Sequence, residues 1–424
     1  MKEKFIIISF DAIDTNDFKY IKTLHSFKGL IEDSSYSDKV ESVYPSLTYP
    51  CHTSISTGML PINHGIINNI KLQPKRNSPD WYWEQKYIKS KTIYDVAKEK
   101  GFRTCALLWP VTAKSKTLDL NLPEIFANRP WQNQILVSAL NGTIPFQLKV
   151  NKLFGNLRDG LKQPNLDNFT FESLMYVLKK DLADFILVHL TDVDAHKHKF
   201  GTNSNEVKEA LKRQDNRLSQ VINFLKENNI YDDSTLIVLG DHSFKNANYV
   251  IKLNKLFLEN GLISLDSKGN IKSFDTYCNY CDGSAYIYIN KNSSLKKETL
   301  YNLINNFSKE NNNCIKSIFS TNEALNFGAD KNCAFMLEAN DDYYFINSYK
   351  GNIIEKTFGK HDIATHGYFP KDNDYKTIFM IKGPNIKENN YIEDMNLIDE
   401  GTTIFKLLNY NKKSCDGKVL NIFK

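Results

Sequence analysis

The sequence predicts an α/β fold on a mainly parallel sheet flanked by helices, and three observations predict it. Strand-like apolar runs alternate with helical patterns, three of those runs end in an aspartate, and one stretch in the middle breaks the alternation. "KFIIISFD" opens the order as a strand. Its apolar run from Phe5 to Phe10 is too short for a signal peptide or a membrane span, and no small-residue cleavage site follows it. "KTIYDVAKEKGFRTCALLWP" predicts a helix stopped at Gly101 and then a strand from Arg103 to Leu108. "DNFTFESLMYVLKK" is a helix leading into the strand "FILVHLTD". In "NEVKEALKRQDNRLSQVINFLKEN", Val207, Leu211, Leu218, Val221, Ile222 and Leu225 share one helical face. "TLIVLGDH" and "KTIFMIKG" are later strands, and "GTTIFKLLN" is a short closing helix.

From Asn260 to Lys360 the runs shorten ("SAYIYIN", "CAFMLEA", "YYFINSY") around one helix near Lys297 to Phe307. They predict a small α+β insertion, so that a catalytic core over 1–259 is completed by 361–424 and interrupted by 260–360. The stretch from Thr112 to Asn165, with Pro123, Pro130, Pro145 and Pro164, is either one wall of a cleft or a surface excursion.

Composition narrows the class. With 41% hydrophobic and 24% charged residues, the 424-residue chain is ordinary for a soluble globular protein. Its net charge of +5 is spread over scattered lysines and arginines, which excludes a basic nucleic-acid surface. Seven dispersed cysteines fit a reducing compartment; the CxxC spacing of Cys278 and Cys281 has no second pair, so two incidental thiols are expected. The expected location is cytoplasmic, with no membrane partner.

The chemistry starts at the strand ends. Asp11, Asp192 and Asp241 each close a strand-like run, and in open α/β sheets ligands sit beyond those ends. One such aspartate would be a cap or a turn residue. Here His196 follows Asp192 by four residues, His242 adjoins Asp241, and His366 precedes Gly367 in "ATHGYFP". Mixed aspartate and histidine sets suit catalytic metals, and six such ligands divide as three plus three. Two metals about 4 Å apart form a clamp for displacement at phosphorus. In "YPSLTYPCHTSISTG", Pro50 fits the first turn of a helix, so Thr48 would stand at its positive end. A threonine there becomes a nucleophile once a cation or a base takes its proton.

"SFDAID", "YPSLTYPCHTSISTG", "HGIINN", "LLWP", "TDVDAH", "VLGDHSF" and "ATHGYFP" occur in one order. By these motifs the chain resembles the nucleotide pyrophosphatase/phosphodiesterase family of the alkaline phosphatase superfamily, over residues 1–255 and 361–424. The resemblance implies an alkaline-phosphatase-like fold and two zinc ions, with manganese or iron able to use the same ligands. One zinc would be held by Asp11, Asp241 and His242 and touch the Thr48 oxygen; the other would be held by Asp192, His196 and His366. Asp194 competes with Asp192, and the four-residue spacing from Asp192 to His196, which repeats the family pattern, favours Asp192. Asn69, in "HGIINN", and the Tyr49 N–H would hold phosphate oxygens, and a nucleobase would stack on Tyr49. The implied reaction is hydrolysis of a small-molecule phosphodiester or phosphoanhydride through a covalent phosphothreonine at Thr48.

Two positions depart from the family pattern: Cys51 replaces an asparagine, and no glycine follows Trp109-Pro110. Phosphomonoester, phosphonate or sulfate-ester hydrolysis on the same frame is the alternative. A monoester would want another cation near Thr48, and Arg76 and Arg103 are the nearest arginines. A non-catalytic binding protein would lack a nucleophile or a ligand, and here every position is filled. His52 and His64 are expected to make local hydrogen bonds and His189 to be a core residue. Trp81 and Trp83 are candidates for an aromatic wall, whereas Trp109 is expected in the core.

Overall fold

A computed structural model describes residues 4–412 and 414–424. Its main sheet has nine strands. In chain order the first six are β1 (Phe5–Phe10), β2 (Ser35–Glu41), β3 (Thr104–Leu107), β4 (Leu120–Leu122), β5 (Phe185–Leu190) and β6 (Thr235–Leu239). The spatial order is Asn390–Tyr391, β2, Thr377–Lys382, β6, β1, β5, β3, β4, with Met395–Asn396 beside β2. The strands from β6 to β4 run parallel. Thr377–Lys382 is antiparallel to both its neighbours, so "KTIFMIKG" extends the sheet against its prevailing direction.

The continuous apolar run of β1 follows from cover on both faces. Ile6, Ile8 and Phe10 pack into a core with the helices His25–Glu32, Asn165–Lys179 and Asn205–Glu227; Phe5 and Ile7 pack into a second core with the helices Thr48–Thr57, Ile93–Glu99 and Leu397–Leu407. Each fully buried isoleucine contributes about 1.5–3 kcal/mol relative to exposure. All six periodic residues expected on Asn205–Glu227 are buried. The closing helix begins earlier than "GTTIFKLLN", because Asn396 and Asp399 form a capping box ahead of it. Trp109 is fully buried and donates its indole N–H to Ser56 at 3.0 Å.

A smaller antiparallel sheet, in the order Thr276–Cys281, Ser284–Ile289, Phe335–Ala339, Ile315–Ser320, carries the helix Lys297–Glu310. A third sheet pairs Lys245–Ile251 with Asp342–Phe345, Ile354–Lys356 and Ala364–Thr365. The pairing of this region therefore reaches back to Lys245, ahead of residue 260. Cys278 and Cys281 are buried in different apolar clusters and all seven cysteines are free, so the two thiols share no site. No helix among the described residues is long and apolar enough to cross a membrane.

Candidate active site

The site forms where the carboxyl ends of β1, β5 and β6 meet the N-terminus of the helix Thr48–Thr57. β1 and β6 are parallel neighbours in matched register, so Asp11 and Asp241 emerge side by side. Gly240 permits this approach: a Cβ there would stand 2.0 Å from the Ile13 carbonyl oxygen. The Ala12 N–H donates to Asp241 Oδ1 at 3.1 Å. His242 Nε2 then lies 3.3 Å from Asp11 Oδ1, 3.3 Å from Asp241 Oδ2 and 3.3 Å from Thr48 Oγ1.

Thr48 opens its helix after an extended Leu47, with Pro50 in the first turn and no side-chain cap. That leaves the positive end of the helix facing the cluster. His52, one turn on, donates Nδ1–H to the Thr48 carbonyl at 2.8 Å and meets the Ser9 hydroxyl through Nε2 at 2.9 Å. Burial holds His52 neutral, its pKa well below the ordinary value.

The second cluster is Asp194, His198 and His366, whose ligand atoms lie within 4.8 Å of one another. Asp194 and His198 sit one turn apart on the helix Asp192–Phe200. His198 donates Nδ1–H to the Ala364 carbonyl at 3.0 Å, which leaves Nε2 facing Asp194 Oδ1 at 3.6 Å. His366 follows the short strand Ala364–Thr365 and stacks on His242 with ring centroids 3.9 Å apart. Asp194 also groups with Asp11 and His242, so the two clusters are contiguous.

This corrects the ligand set expected from sequence, because Asp192 and His196 face away. Asp192 is fully buried beneath the helix Asn205–Glu227 and accepts from Arg213 at 2.7 and 2.9 Å and from Arg217 at 3.2 Å. His196 turns back onto the Asp192 carbonyl at 2.7 Å. Positions two apart on a helix differ by about 200°, so the Asp192/His196 pair and the Asp194/His198 pair cannot face the same point.

The remaining expectations divide. Asn69 lines the cavity, and its Oδ1 accepts the Tyr49 N–H at 2.9 Å. That N–H therefore orients the Asn69 amide and is not free for a phosphate oxygen. Nor is Tyr49 a stacking platform: its ring is fully buried and its hydroxyl donates to Glu124 at 3.2 Å. Trp81 and Phe126 present aromatic surface to the cavity in its place. The cavity measures about 870 Å³, and much of its wall comes from the stretch between Thr112 and Asn165, including Glu124, Ile135 and Leu161. Arg76 pairs with Asp80 and Arg103 with Asp184, so neither serves the nucleophile.

His189 is buried but is more than packing. It contacts Asp11 Oδ2 at 3.0 Å through Nε2 and Glu124 Oε2 at 3.1 Å through Nδ1. Burial opposes its protonation, yet the two carboxylates hold its pKa well above the ordinary value. His189 pairs in register with Ser9 of β1, two residues ahead of Asp11, so the contact follows from the adjacency of β5 and β1.

The donor set fits divalent cations. Burial, then Asp241 and Asp194, push the Asp11 carboxyl well up, and burial pushes Asp241 up to about 6. His242 and His366 are driven the other way by burial and neighbouring imidazoles. Asp11 Oδ1, Asp241 Oδ2 and His366 Nδ1 are buried without a hydrogen-bond partner among the described residues. Crowded carboxylates and neutral imidazoles with open lone pairs are what a cation relieves. A third trio, His52, His189 and Asp241, is also close, but its imidazole nitrogens are committed to Thr48, Ser9, Asp11 and Glu124.

A family model described as type I phosphodiesterase / nucleotide pyrophosphatase matches residues 5–369. Human ectonucleotide pyrophosphatase/phosphodiesterase family member 1 is 27% identical over 252 residues, covering 55% of this chain and 23% of that protein. Venom phosphodiesterase CdcPDE of Crotalus durissus collilineatus is 23% identical over 407 residues, covering 90% of this chain. The matched stretches thus span 23% and 41% of these relatives' own lengths. Among solved structures, murine ectonucleotide pyrophosphatase/phosphodiesterase 5 superposes with a TM-score of 0.67 at 18% identity, covering 100% of both chains. An inactive threonine-to-alanine variant of the murine protein in complex with AMP gives 0.66 at 18% identity and 98% coverage of both. At that identity the likeness establishes the alkaline-phosphatase-like fold. The relatives' names, ectonucleotide and venom, lend the expected cytoplasmic location no support.

Proposed function

Because the chain belongs to the type I phosphodiesterase / nucleotide pyrophosphatase family, we propose that it hydrolyses phosphodiester or phosphoanhydride bonds through a covalent phosphothreonine at Thr48. The observation that carries this reading is the convergence of Thr48 Oγ1, Asp11, Asp241 and His242 at the helix N-terminus. Divalent cations, zinc by donor type, held by Asp11, Asp241 and His242 and by Asp194, His198 and His366 would supply the positive charge that activates Thr48 and water and offsets charge on the phosphoryl oxygens.

The chain's own groups then do the following. Thr48 Oγ1 attacks phosphorus and the leaving oxygen departs from the opposite side; water later attacks the Thr48 phosphoester from the vacated side. His52 fixes the first helical turn through the Thr48 carbonyl and so fixes the nucleophile's position. The Asn69 amide, held by the Tyr49 N–H, turns its NH2 toward the phosphoryl group, where a placed donor contributes most as charge develops. His189 and Glu124 hold Asp11 from behind. Trp81 and Phe126 offer faces for a base, and the AMP complex of the murine protein supports a nucleotide as one occupant.

The cavity favours a diester over a monoester. Among the described residues, Arg158 is the single Lys or Arg that lines it, and it lies over Phe169, 5.1 Å from the ring centroid. The extra charge of a monoester therefore finds little to pair with. The test is a rate comparison on metal-loaded protein between bis-nitrophenyl phosphate and nitrophenyl phosphate, with Thr48→Ala beside it. A higher kcat/KM for the diester, abolished in Thr48→Ala, is expected. Full turnover by Thr48→Ala would overturn the covalent step.

A further inference from the structure

The helices Gln134–Leu140 and Ile144–Phe154 form a hairpin beside the cavity. Ser138 donates to Gln147 Oε1 at 2.7 Å, and Gln147 donates back to the Ser138 carbonyl at 3.0 Å. Phe146 and Val150 anchor the inner face in the core. The outer face is not polar. Among the described residues, eight of the fourteen large exposed apolar side chains fall between 131 and 161, including Trp131 at 80%, Leu140 at 69% and Leu161 at 69% exposure. Scattered exposed leucines are ordinary, but a concentration on one hairpin marks a contact surface.

Charge identifies the partner. Residues 131–161 carry Lys149, Lys152 and Arg158 against Asp159 alone, a net +2 in a chain whose total is +5, whereas Arg129 just ahead is committed to Asp80. An apolar face rimmed by lysine and arginine suits the headgroup boundary of an anionic bilayer. The patch is also continuous with the cavity, since Ile135 on the hairpin and Leu161 beyond its end are both exposed and line the space that holds Thr48.

We propose that this hairpin docks the protein on an anionic lipid surface, with the cavity mouth turned toward the lipid. A membrane partner thereby replaces the absence expected from the sequence. One consequence, which rests on the proposed reaction, is faster turnover of a phosphodiester held at that surface than of the same ester free in solution.

Flotation of the full chain with phosphatidylglycerol/phosphatidylcholine vesicles, against phosphatidylcholine alone, tests the docking. Binding is expected on the anionic vesicles, weakened by salt, with a blue shift in tryptophan emission that Trp131→Phe removes. Leu136→Ser with Leu140→Ser is expected to weaken binding at least about tenfold, each leucine losing its transfer into lipid. Lys149→Glu with Lys152→Glu is expected to erase the preference for anionic vesicles. The leucine pair lies outside the cavity and is expected to leave hydrolysis of soluble bis-nitrophenyl phosphate unchanged while lowering hydrolysis of a long-chain alkyl phosphodiester embedded in the vesicles. Flotation of a chain that hydrolyses no diester would keep the docking and remove the reaction. Absence of binding, binding indifferent to both pairs, or a vesicle-free dimer dissolved by the leucine pair without any flotation would overturn the proposal.

Discussion

Asparagine substitutions at Asp192 and Asp194, two residues apart, should separate stability from metal binding. Asp192 is fully buried and takes two hydrogen bonds from Arg213 and one from Arg217. Removing one partner of a buried ion pair costs about 3–5 kcal/mol. The lower end applies here, because Arg217 keeps Asp167 at 3.5 Å and the Arg213 side chain is 33% exposed and partly screened. With an unfolding entropy of about 2.1 cal/mol/K per residue, a chain of 424 residues shifts by about 1 °C per kcal/mol, so Asp192→Asn should lower Tm by on the order of 3–4 °C. Asp194→Asn removes a charge that both clusters share and leaves the arginine pairing intact. Its metal affinity should fall by more than the ~10–100-fold that loss of an outer-sphere partner alone costs. Competition against a chromophoric chelator reads the affinity and differential scanning fluorimetry reads Tm. Loss of metal in Asp192→Asn with retention in Asp194→Asn would refute the assignment.

Metal addition to stripped protein should raise stability by about 4 kcal/mol at a thousandfold excess over Kd, read as a Tm shift that Thr48→Ala retains; a stripped protein indifferent to zinc would contradict the cation clusters. Trp81→Ala should raise KM for a nucleotide diester on the order of tenfold, the worth of one stacked base, while Tyr49→Leu changes it little; the reverse order would restore Tyr49 as the platform. The Arg103 guanidinium, with Lys4 behind it, holds the Asp184 carboxyl down at about 2. Because the folded pKa lies below the unfolded value, that stabilisation is fully present above about pH 4 and is lost as pH falls through about 2. Asp184→Asn should flatten the acid limb of a stability–pH profile in that window, and an unchanged limb would exclude the linkage.

Much of the site was legible because strand ends and helix starts are local signals. Asp11 and Asp241 end apolar runs, and Thr48 precedes Pro50 at a helix N-terminus. The register within "TDVDAHKHKFG" was not local. Two aspartate–histidine pairs with the same spacing overlap there, and the choice falls to Arg213 and Arg217, about two and three helical turns into the next element, which claim Asp192. Tyr49 misled for a similar reason: adjacency to Thr48 says nothing about which way its ring turns, and Trp81 reaches the cavity from a separate loop. The role of His189 depends on which strands are neighbours, a property of sheet order that no window of sequence contains.

The loop around His366 carries a consequence for protein engineering. Gly367 has φ +84°, and a Cβ on it would lie 1.9 Å from the Cys281 carbonyl oxygen; its N–H donates to the Ser46 carbonyl at 3.1 Å, while the His366 carbonyl accepts the Gly283 N–H at 2.8 Å. One histidine is thus clasped between the segment before the nucleophile and a hairpin of the smaller sheet. Loop grafting or excision of that sheet would release His366 along with it. Chimeras between relatives should therefore exchange the hairpin Thr276–Ile289 and the segment around 364–369 as one cassette, or keep both.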